Sequence, residues 1–203
     1  MGLDMNECII RKATNEDISA LRALYLALEK DGVRYQPEHF VIGERTNEFF
    51  QSVFNGDNQD ILVADINGET VGFAHVLILQ QKKVSCLKPQ SVIYIQDLCV
   101  REDKRNNGIG SKLIRATKDY GKERNADFIR TQVFPKNVDG MRFYERNGFC
   151  EMGMVCRSDE NRKSVFGRAA SPLQLQHSGD LRCRRAGIRA AAEKIARKNP
   201  CPD

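Results

Sequence analysis

Leu98-Cys99-Val100-Arg101-Glu102-Asp103-Lys104-Arg105-Asn106-Asn107-Gly108-Ile109-Gly110-Ser111 decides how the rest of the chain is read. An apolar run ends at Val100. A charged turn follows, two glycines stand one residue apart, and an amphipathic stretch begins with Ile109, Leu113, Ala116 and Tyr120 on one helical face. Glycine admits tight turns and lets a ligand approach the backbone. The first N–H groups of a helix have no intrahelical partner and carry the positive end of its dipole, so this turn suits a pyrophosphate. Ser111 adds a hydroxyl and Arg105 a charge. The stretch is neither a complete G-x-G-x-x-G fingerprint nor a P-loop, which would need Lys and Ser or Thr after its last glycine.

Working outward, residues 91–100 read as a long strand leading into the turn. Asn67-Gly68 separates two β-rich runs, 60–66 and 70–78, the strongest short-range signal for a hairpin. Towards the N-terminus, residues 8–12 form a short strand. Thr14 and Asp17 then have capping-box spacing ahead of a helical face made by Ile18, Leu21, Tyr25 and Leu28, which Asp31-Gly32 is expected to end. A less regular helix is expected over 37–54. Beyond the turn come a strand over 128–134, a helix over 138–146 stopped by Asn147-Gly148, and a returning strand over 149–157. The order predicts an α/β fold: a mixed, mostly antiparallel sheet with helices on both faces.

Charge separates this body from the C-terminal stretch. Of the 32 Lys and Arg, 10 lie in 158–203 against 5 acidic residues, so the net charge of +5 belongs to the tail. Residues 1–157 hold 22 charges of each sign, which gives no basis for a nucleic-acid surface on the body. The expected organisation is a folded domain over 7–157 and a basic tail over 158–203, disordered or loosely helical around 186–198.

Seven cysteines (Cys8, Cys86, Cys99, Cys150, Cys156, Cys183 and Cys201) form no CxxC pair and stand at no metal-ligand spacing with histidine. They read as free thiols in a reducing compartment, with no metal site. No apolar run is long enough to span a bilayer, and the N-terminus lacks the basic start and apolar centre of a signal peptide. The expectation is a cytoplasmic protein without a membrane partner.

The loop and its surroundings resemble the GNAT superfamily of N-acetyltransferases. Leu98-Cys99-Val100, Arg105 to Ser111, Asn137 and Phe143-Tyr144-Glu145-Arg146-Asn147-Gly148-Phe149 fall at that family's spacing, and the likeness spans about residues 7–157. The resemblance implies acetyl-CoA as cosubstrate. Leu98, Cys99 and Val100 would run beside the pantetheine arm, and the amides of Asn106, Asn107, Gly108, Ile109, Gly110 and Ser111, with Arg105, would hold the pyrophosphate. Asn137 would meet the pantetheine further along, and Tyr144 would stand near the thioester sulfur as general acid.

The strand Ile93-Tyr94-Ile95-Gln96-Asp97-Leu98-Cys99-Val100 looks much like the corresponding strand of the diamine (spermidine/spermine-type) acetyltransferases, with one departure. There a glutamate that helps deprotonate the amine occupies the place of Gln96, and an amide cannot hold that proton. Asp97 keeps its type, but strand alternation is expected to send it to the opposite face from Gln96. His75 has a suitable intrinsic pKa for a base. Glu29, Asp31, Glu38 and Glu44 could attract a polycation, but Lys30, Arg34 and Arg45 are interleaved with them. The expected activity is transfer of acetyl to a primary amine of a small molecule by direct attack within a ternary complex. A protein or peptide N-acetyltransferase and a non-catalytic acyl-CoA-binding regulatory domain are the alternatives, and a homodimer is left open.

Overall fold

A computed structural model describes residues 8–80 and 88–152. Five strands form one sheet in sequence order: β1 (Cys8–Lys12), β2 (Gln59–Ile66), β3 (Glu69–Gln80), β4 (Ser91–Val100) and β5 (Phe128–Thr131). The first four are antiparallel neighbours, and β5 lies parallel to β4. The helices are α1 (Ile18–Tyr35), α2 (Asn47–Phe54), α3 (Ile109–Glu123) and α4 (Val138–Arg146). This is the expected mixed, mostly antiparallel sheet flanked by helices.

The β2–β3 hairpin follows from two residues. Asn67 and Gly68 both have positive φ, 55° and 81°, the combination a tight hairpin turn requires. Asp65 Oδ1 accepts the Gly68 N–H at 2.7 Å and closes the turn. Along β3 the residues from Thr70 to Val76 are all buried, which means that both faces of the sheet are covered. On one face Leu21, Leu24 and Tyr25 of α1 and Phe50 and Val53 of α2 pack with Ile61, Val63, Phe73 and Cys99. On the other, α3 buries Ile109, Leu113, Ile114, Thr117 and Tyr120, a wider stripe than the one expected because Ile114 and Thr117 join it.

Three expectations are corrected. α1 does not stop at Asp31-Gly32 but runs to Tyr35. Gly32 is buried, and a Cβ there would stand 3.2 Å from the Phe40 ring, so close packing rather than helix termination explains this glycine. The helix expected over 37–54 is confined to Asn47–Phe54, where Thr46 caps it by accepting the Phe49 N–H at 3.3 Å. Residues 40–46 form a loop, held by Glu29, which accepts the Gly43 N–H at 2.9 Å and pairs with Arg45 at 3.3 Å. The strand expected over 128–134 ends at Thr131.

The start of α1 is pinned by charge. A 3₁₀ turn, Asn15–Asp17, precedes it, and the Asp17 carboxylate accepts from the Thr14 N–H at 2.8 Å. Arg11 of β1 grips the same carboxylate through two nitrogens, at 2.8 and 2.9 Å, and also reaches Asp65 of β2 at 2.8 Å. Thr70 of β3 donates to Asp17 as well. The buried Asp17 side chain thereby ties β1 and β3 to the start of the first helix, and Arg11 carries the link on to β2.

The chain divides into two units, 1–148 and 149–203. Every element named above belongs to the first. Of the second, residues 149–152 are described and carry neither helix nor strand, and the rest of the strand expected over 149–157, like the tail, lies outside the described residues.

Candidate active site

Pairing between β4 and β5 runs only from Val92 with Phe128 to Ile95 with Thr131. Thr131 Oγ1 donates to the Ile95 carbonyl at 3.1 Å, closing the last rung. Beyond it β4 continues through residues 96–100 with β3 on one side, while β5 has ended. On that side, among the described residues, no strand pairs with residues 96–100, and this stretch of β4 is an edge that another extended amide chain can pair with.

This edge begins at a β-bulge. His75 of β3 pairs with Asp97 and Val76 with Ile95, so Gln96 is the extra residue. Simple alternation sends Asp97 to the opposite face from Gln96; the bulge interrupts that period, and Asp97 lies on the face of its partner His75, toward α1. Asp97 Oδ2 stands 3.6 Å from His75 Nδ1. Gln96 is exposed.

At the end of β4 the chain turns through Glu102–Lys104, a 3₁₀ turn, into the glycine loop. Asn106 has φ 63° and Gly108, the residue before the first turn of α3, has φ 75°. No side chain caps the start of α3. Among the described residues no side-chain acceptor caps that helix start, and Gly108, Asn106, Asn107 and Ser111 around it are exposed. The two glycines have different roles. A Cβ at Gly108 would meet nothing within 4 Å, so this residue serves the left-handed turn, whereas a Cβ at Gly110 would lie 2.9 Å from Phe143 Cε2. Gly110 lets α4 approach α3, and Ile109 is buried in the core.

Arg105 turns back onto β4. Its Nε donates to the Val100 carbonyl at 3.0 Å, and its charge acts on the Cys99 thiol, which burial pushes up to about 11. Cys99 is thereby an inert core thiol whose backbone, not its sulfur, lies on the β4 edge. Asn107 Nδ2 donates to the carbonyls of Lys104 and Arg105 and stiffens the turn. Asn137 caps α4, its oxygen accepting the Gly140 N–H at 2.9 Å, so that oxygen is committed to the fold.

Tyr144 stands on α4 with its ring edge-on to Phe143, centroids 5.2 Å apart. Burial raises its pKa, a hydrogen bond with Thr131 lowers it, and the nearby Asp97 and Tyr94 raise it, with the net shift upward. The phenol is thus protonated throughout the neutral range and lies within the electrostatic reach of Asp97. Thr131, which holds both the last rung and this phenol, is a residue the sequence reading missed, since a threonine in a strand carries no signal of its own.

Behind Asp97 is a buried polar chain. Tyr25 of α1 and His75 are 3.2 Å apart through the hydroxyl and Nδ1, and His75 Nε2 is 3.2 Å from Gln59 Oε1 of β2. The rings of Phe40 and Tyr35 meet Phe134 with centroids 5.3 and 5.8 Å apart, joining the 40–46 loop and the end of α1 to the segment after β5. Two of the carboxylates that could attract a polycation are neutralised nearby, Glu29 by Arg45 and Asp31 by Arg34 at 3.2 Å. Among the described residues no group of three or more metal-ligating side chains comes together, and no helix is long and apolar enough to cross a membrane.

Comparison with known proteins agrees with this geometry. Residues 21–149 match the model of the Acetyltransferase (GNAT) family. An uncharacterized N-acetyltransferase of Methanocaldococcus jannaschii is 26% identical over 146 residues, which are 72% of this chain but 62% of the relative, so under two-thirds of its length is spanned. An aminoalkylphosphonate N-acetyltransferase of Salmonella typhimurium is 27% identical over 71% of this chain and 86% of its own. The crystal structure of a mutant of the BH1408 protein from Bacillus halodurans superposes with a TM-score of 0.67 at 26% identity, covering 74% of this chain and 99% of that one.

Proposed function

The chain belongs to the GNAT acetyltransferase family, and from that premise we propose that it transfers acetyl from acetyl-CoA to a primary amine of a small molecule by direct attack in a ternary complex. The observation that supports this is that β4–β5 pairing ends at Ile95 and Thr131, with the uncapped start of α3 following β4 in the chain and Tyr144 hydrogen-bonded to Thr131. A pyrophosphate on the amides from Gly108 to Ser111 and a pantetheine along residues 96–100 would leave the thioester beside Thr131, Tyr144 and Asp97.

The residues fit that cosubstrate with one adjustment. The Val100 carbonyl is held by Arg105, so Leu98 is the freer partner for the pantetheine, unless Arg105 swings out to meet a phosphate. When bound, acetyl-CoA supplies the activated acyl group, and the chain's own groups do the rest. Main-chain donors of β4 face the thioester oxygen as it gains charge. Tyr144, kept protonated by burial, gives its proton to the departing sulfur. Asp97 is the carboxylate on the helix-covered face where an amine would arrive, while Gln96 is exposed and, as an amide, holds no proton.

A small acceptor is favoured over a peptide because the Phe40–Phe134–Tyr35 cluster bridges the two walls of the acceptor end. Pairing of Glu29 and Asp31 with arginines argues for an acceptor with one amine rather than a polyamine. The relative named for aminoalkylphosphonates, small molecules with one amine, points the same way. The test is release of CoA thiol from acetyl-CoA across panels of monoamines, polyamines and short peptides. Turnover with small monoamines is expected. Turnover confined to peptides would overturn the acceptor class, and tight coenzyme binding without turnover on any panel would favour the regulatory reading.

A further inference from the structure

The side chain behind Asp97 has a tautomer that its neighbours dictate. Gln59 Nε2 donates to the Ser52 carbonyl at 3.2 Å, which fixes the amide so that Oε1 faces His75 Nε2. An amide oxygen only accepts, so Nε2 carries the ring hydrogen. Nδ1 is then the bare nitrogen, and the Tyr25 hydroxyl donates to it. Asp97 Oδ2, 3.6 Å from that same Nδ1, is beyond hydrogen-bond reach but within ion-pair distance. Two acceptors face each other, and a proton arriving at Nδ1 would join them.

We propose that His75 is a positioning residue for the amine: it takes up at Nδ1, by way of Asp97, the proton that an ammonium acceptor must lose. This rests on the acetyl-transfer reading above. An isolated carboxylate ordinarily binds a proton some 2–3 pH units lower than an imidazole does, so an imidazole is in general the better sink for an amine's proton. With His75 behind it, Asp97 ends the step ionised, hydrogen-bonded to an imidazolium and still facing the substrate. The protons balance. The ammonium's first proton passes to Asp97 and on to Nδ1, leaving a neutral amine. The C–N bond forms, the C–S bond breaks, and the nitrogen's second proton replaces the one Tyr144 gives to sulfur. The proton on His75 returns through Asp97 to solvent once product has left.

The bulge at Gln96 is what makes this possible, because an unbulged β4 would not set Asp97 opposite His75. The groups that face the imidazole can be counted off by element. Tyr25 and, behind it, Glu29 come from α1. Arg45 comes from the following loop, with its guanidinium 5.0 Å from the Tyr25 ring centroid. Phe49 of α2 stands edge-on, and Gln59 comes from β2. Arg45 opposes a charge on His75 but is itself paired with Glu29, so Asp97 is the decisive charge.

The test has one arm that needs turnover and one that does not. In the first, His75→Asn retains an oxygen that can accept from Tyr25 but cannot be protonated. It should lower kcat about 10²-fold, move the acidic limb of the kcat profile to lower pH, and leave the KM for acetyl-CoA unchanged. An unaltered profile and rate would overturn the proposal. In the second, ¹⁵N NMR of the imidazole, assigned against His39 and His177, should show the Nε2–H tautomer at pH 8. The midpoint for protonation of Nδ1 should fall in Asp97→Asn and rise in Tyr25→Phe, which removes the competing hydroxyl. The opposite tautomer, or midpoints that neither variant moves, would overturn it. Absence of turnover with any amine in the unaltered protein would sink the transferase reading, while the NMR arm would still decide the coupling of His75 to Asp97.

Discussion

Gly110 of α3 and Phe143 of α4 touch so closely that a single methyl group on the glycine would lie 2.9 Å from Phe143 Cε2 and 3.1 Å from Cζ. The ring cannot retreat freely, because it packs edge-on against Tyr144. Gly110→Ala is therefore expected to push α4 outward, at a cost of about 1–3 kcal/mol of stability, and to carry the Tyr144 hydroxyl away from Thr131. Melting temperature, read by differential scanning calorimetry, and kcat should fall together. Unchanged melting with an unchanged kcat would show that α4 does not depend on this contact.

Gly108→Val is the contrasting experiment. The space around Gly108 is open, but its φ of 75° is costly for a residue with a side chain, about 1–2 kcal/mol in general. The branched side chain would also stand where a phosphate must approach the helix start. Calorimetric titration with acetyl-CoA should detect a loss of at least about tenfold in affinity, a modest 1.4 kcal/mol. Retained affinity would mean that the diphosphate lies elsewhere.

These two glycines show what was legible in the sequence and what was not. The turn at Gly108 and the hairpin at Asn67-Gly68 are local: each is a positive φ demanded by its immediate neighbours, and residue type alone announces it. Gly32 looked like a helix stop for the same local reason, but its small size serves Phe40, eight residues on and beyond the helix. The pairing of Asp97 with His75 was beyond reach because a bulge is a property of two paired strands, and 21 residues separate His75 from Gln96. The polar chain behind Asp97 joins Tyr25 to His75 across 50 residues. From its spacing Tyr25 reads only as one more apolar position on a helix. The motif around the loop made the cofactor side of the site readable, while its acceptor side depends on tertiary contacts.

Tyr144→Phe isolates the proposed acid. Burial, acting with Asp97 and Tyr94, outweighs the Thr131 hydrogen bond and raises the phenol's pKa above its ordinary value. In the unaltered protein the acid should therefore stay loaded up to at least about pH 10, the ordinary tyrosine value, and any alkaline limb due to Tyr144 must lie above it. The phenylalanine variant should lose about 10²-fold or more in kcat with acetyl-CoA affinity held within a factor of two or so. A kcat that survives the change would remove Tyr144 from the chemistry.

Phe134→Ala addresses the acceptor. The ring joins Phe40 and Tyr35 across the acceptor end, and truncating it releases the 40–46 loop from the far wall. The expected outcome is a broader acceptor range, with short peptides becoming substrates while kcat/KM for small amines drops several-fold. A peptide panel that stays silent would mean that something other than this aromatic bridge excludes long acceptors.

Asp17 offers the clearest prediction for stability. The carboxylate is 3% exposed. Burial by itself would raise its pKa, but hydrogen bonds from Arg11, Thr70 and the Thr14 amide together with the Arg11 charge more than reverse this, holding it well below the usual carboxylate range. The unfolded chain therefore binds a proton at this residue before the folded one does. Its contribution is complete above the ordinary aspartate value of about 3.9 and is lost as pH falls below it toward the depressed folded pKa. Asp17→Ala leaves Arg11 with Asp65 alone, and Thr70 and the Thr14 amide without their acceptor. Breaking a buried pair from one side costs about 3–5 kcal/mol, and the exposed flank of Arg11 places the expectation at the lower end. Urea unfolding at pH 7 should show that loss. It should shrink as pH falls below about 4, because the unfolded chain then takes up a proton that the folded carboxylate still refuses. A difference that stays constant from pH 7 to pH 2 would mean that Asp17 stabilises the fold by its packing and not by its charge.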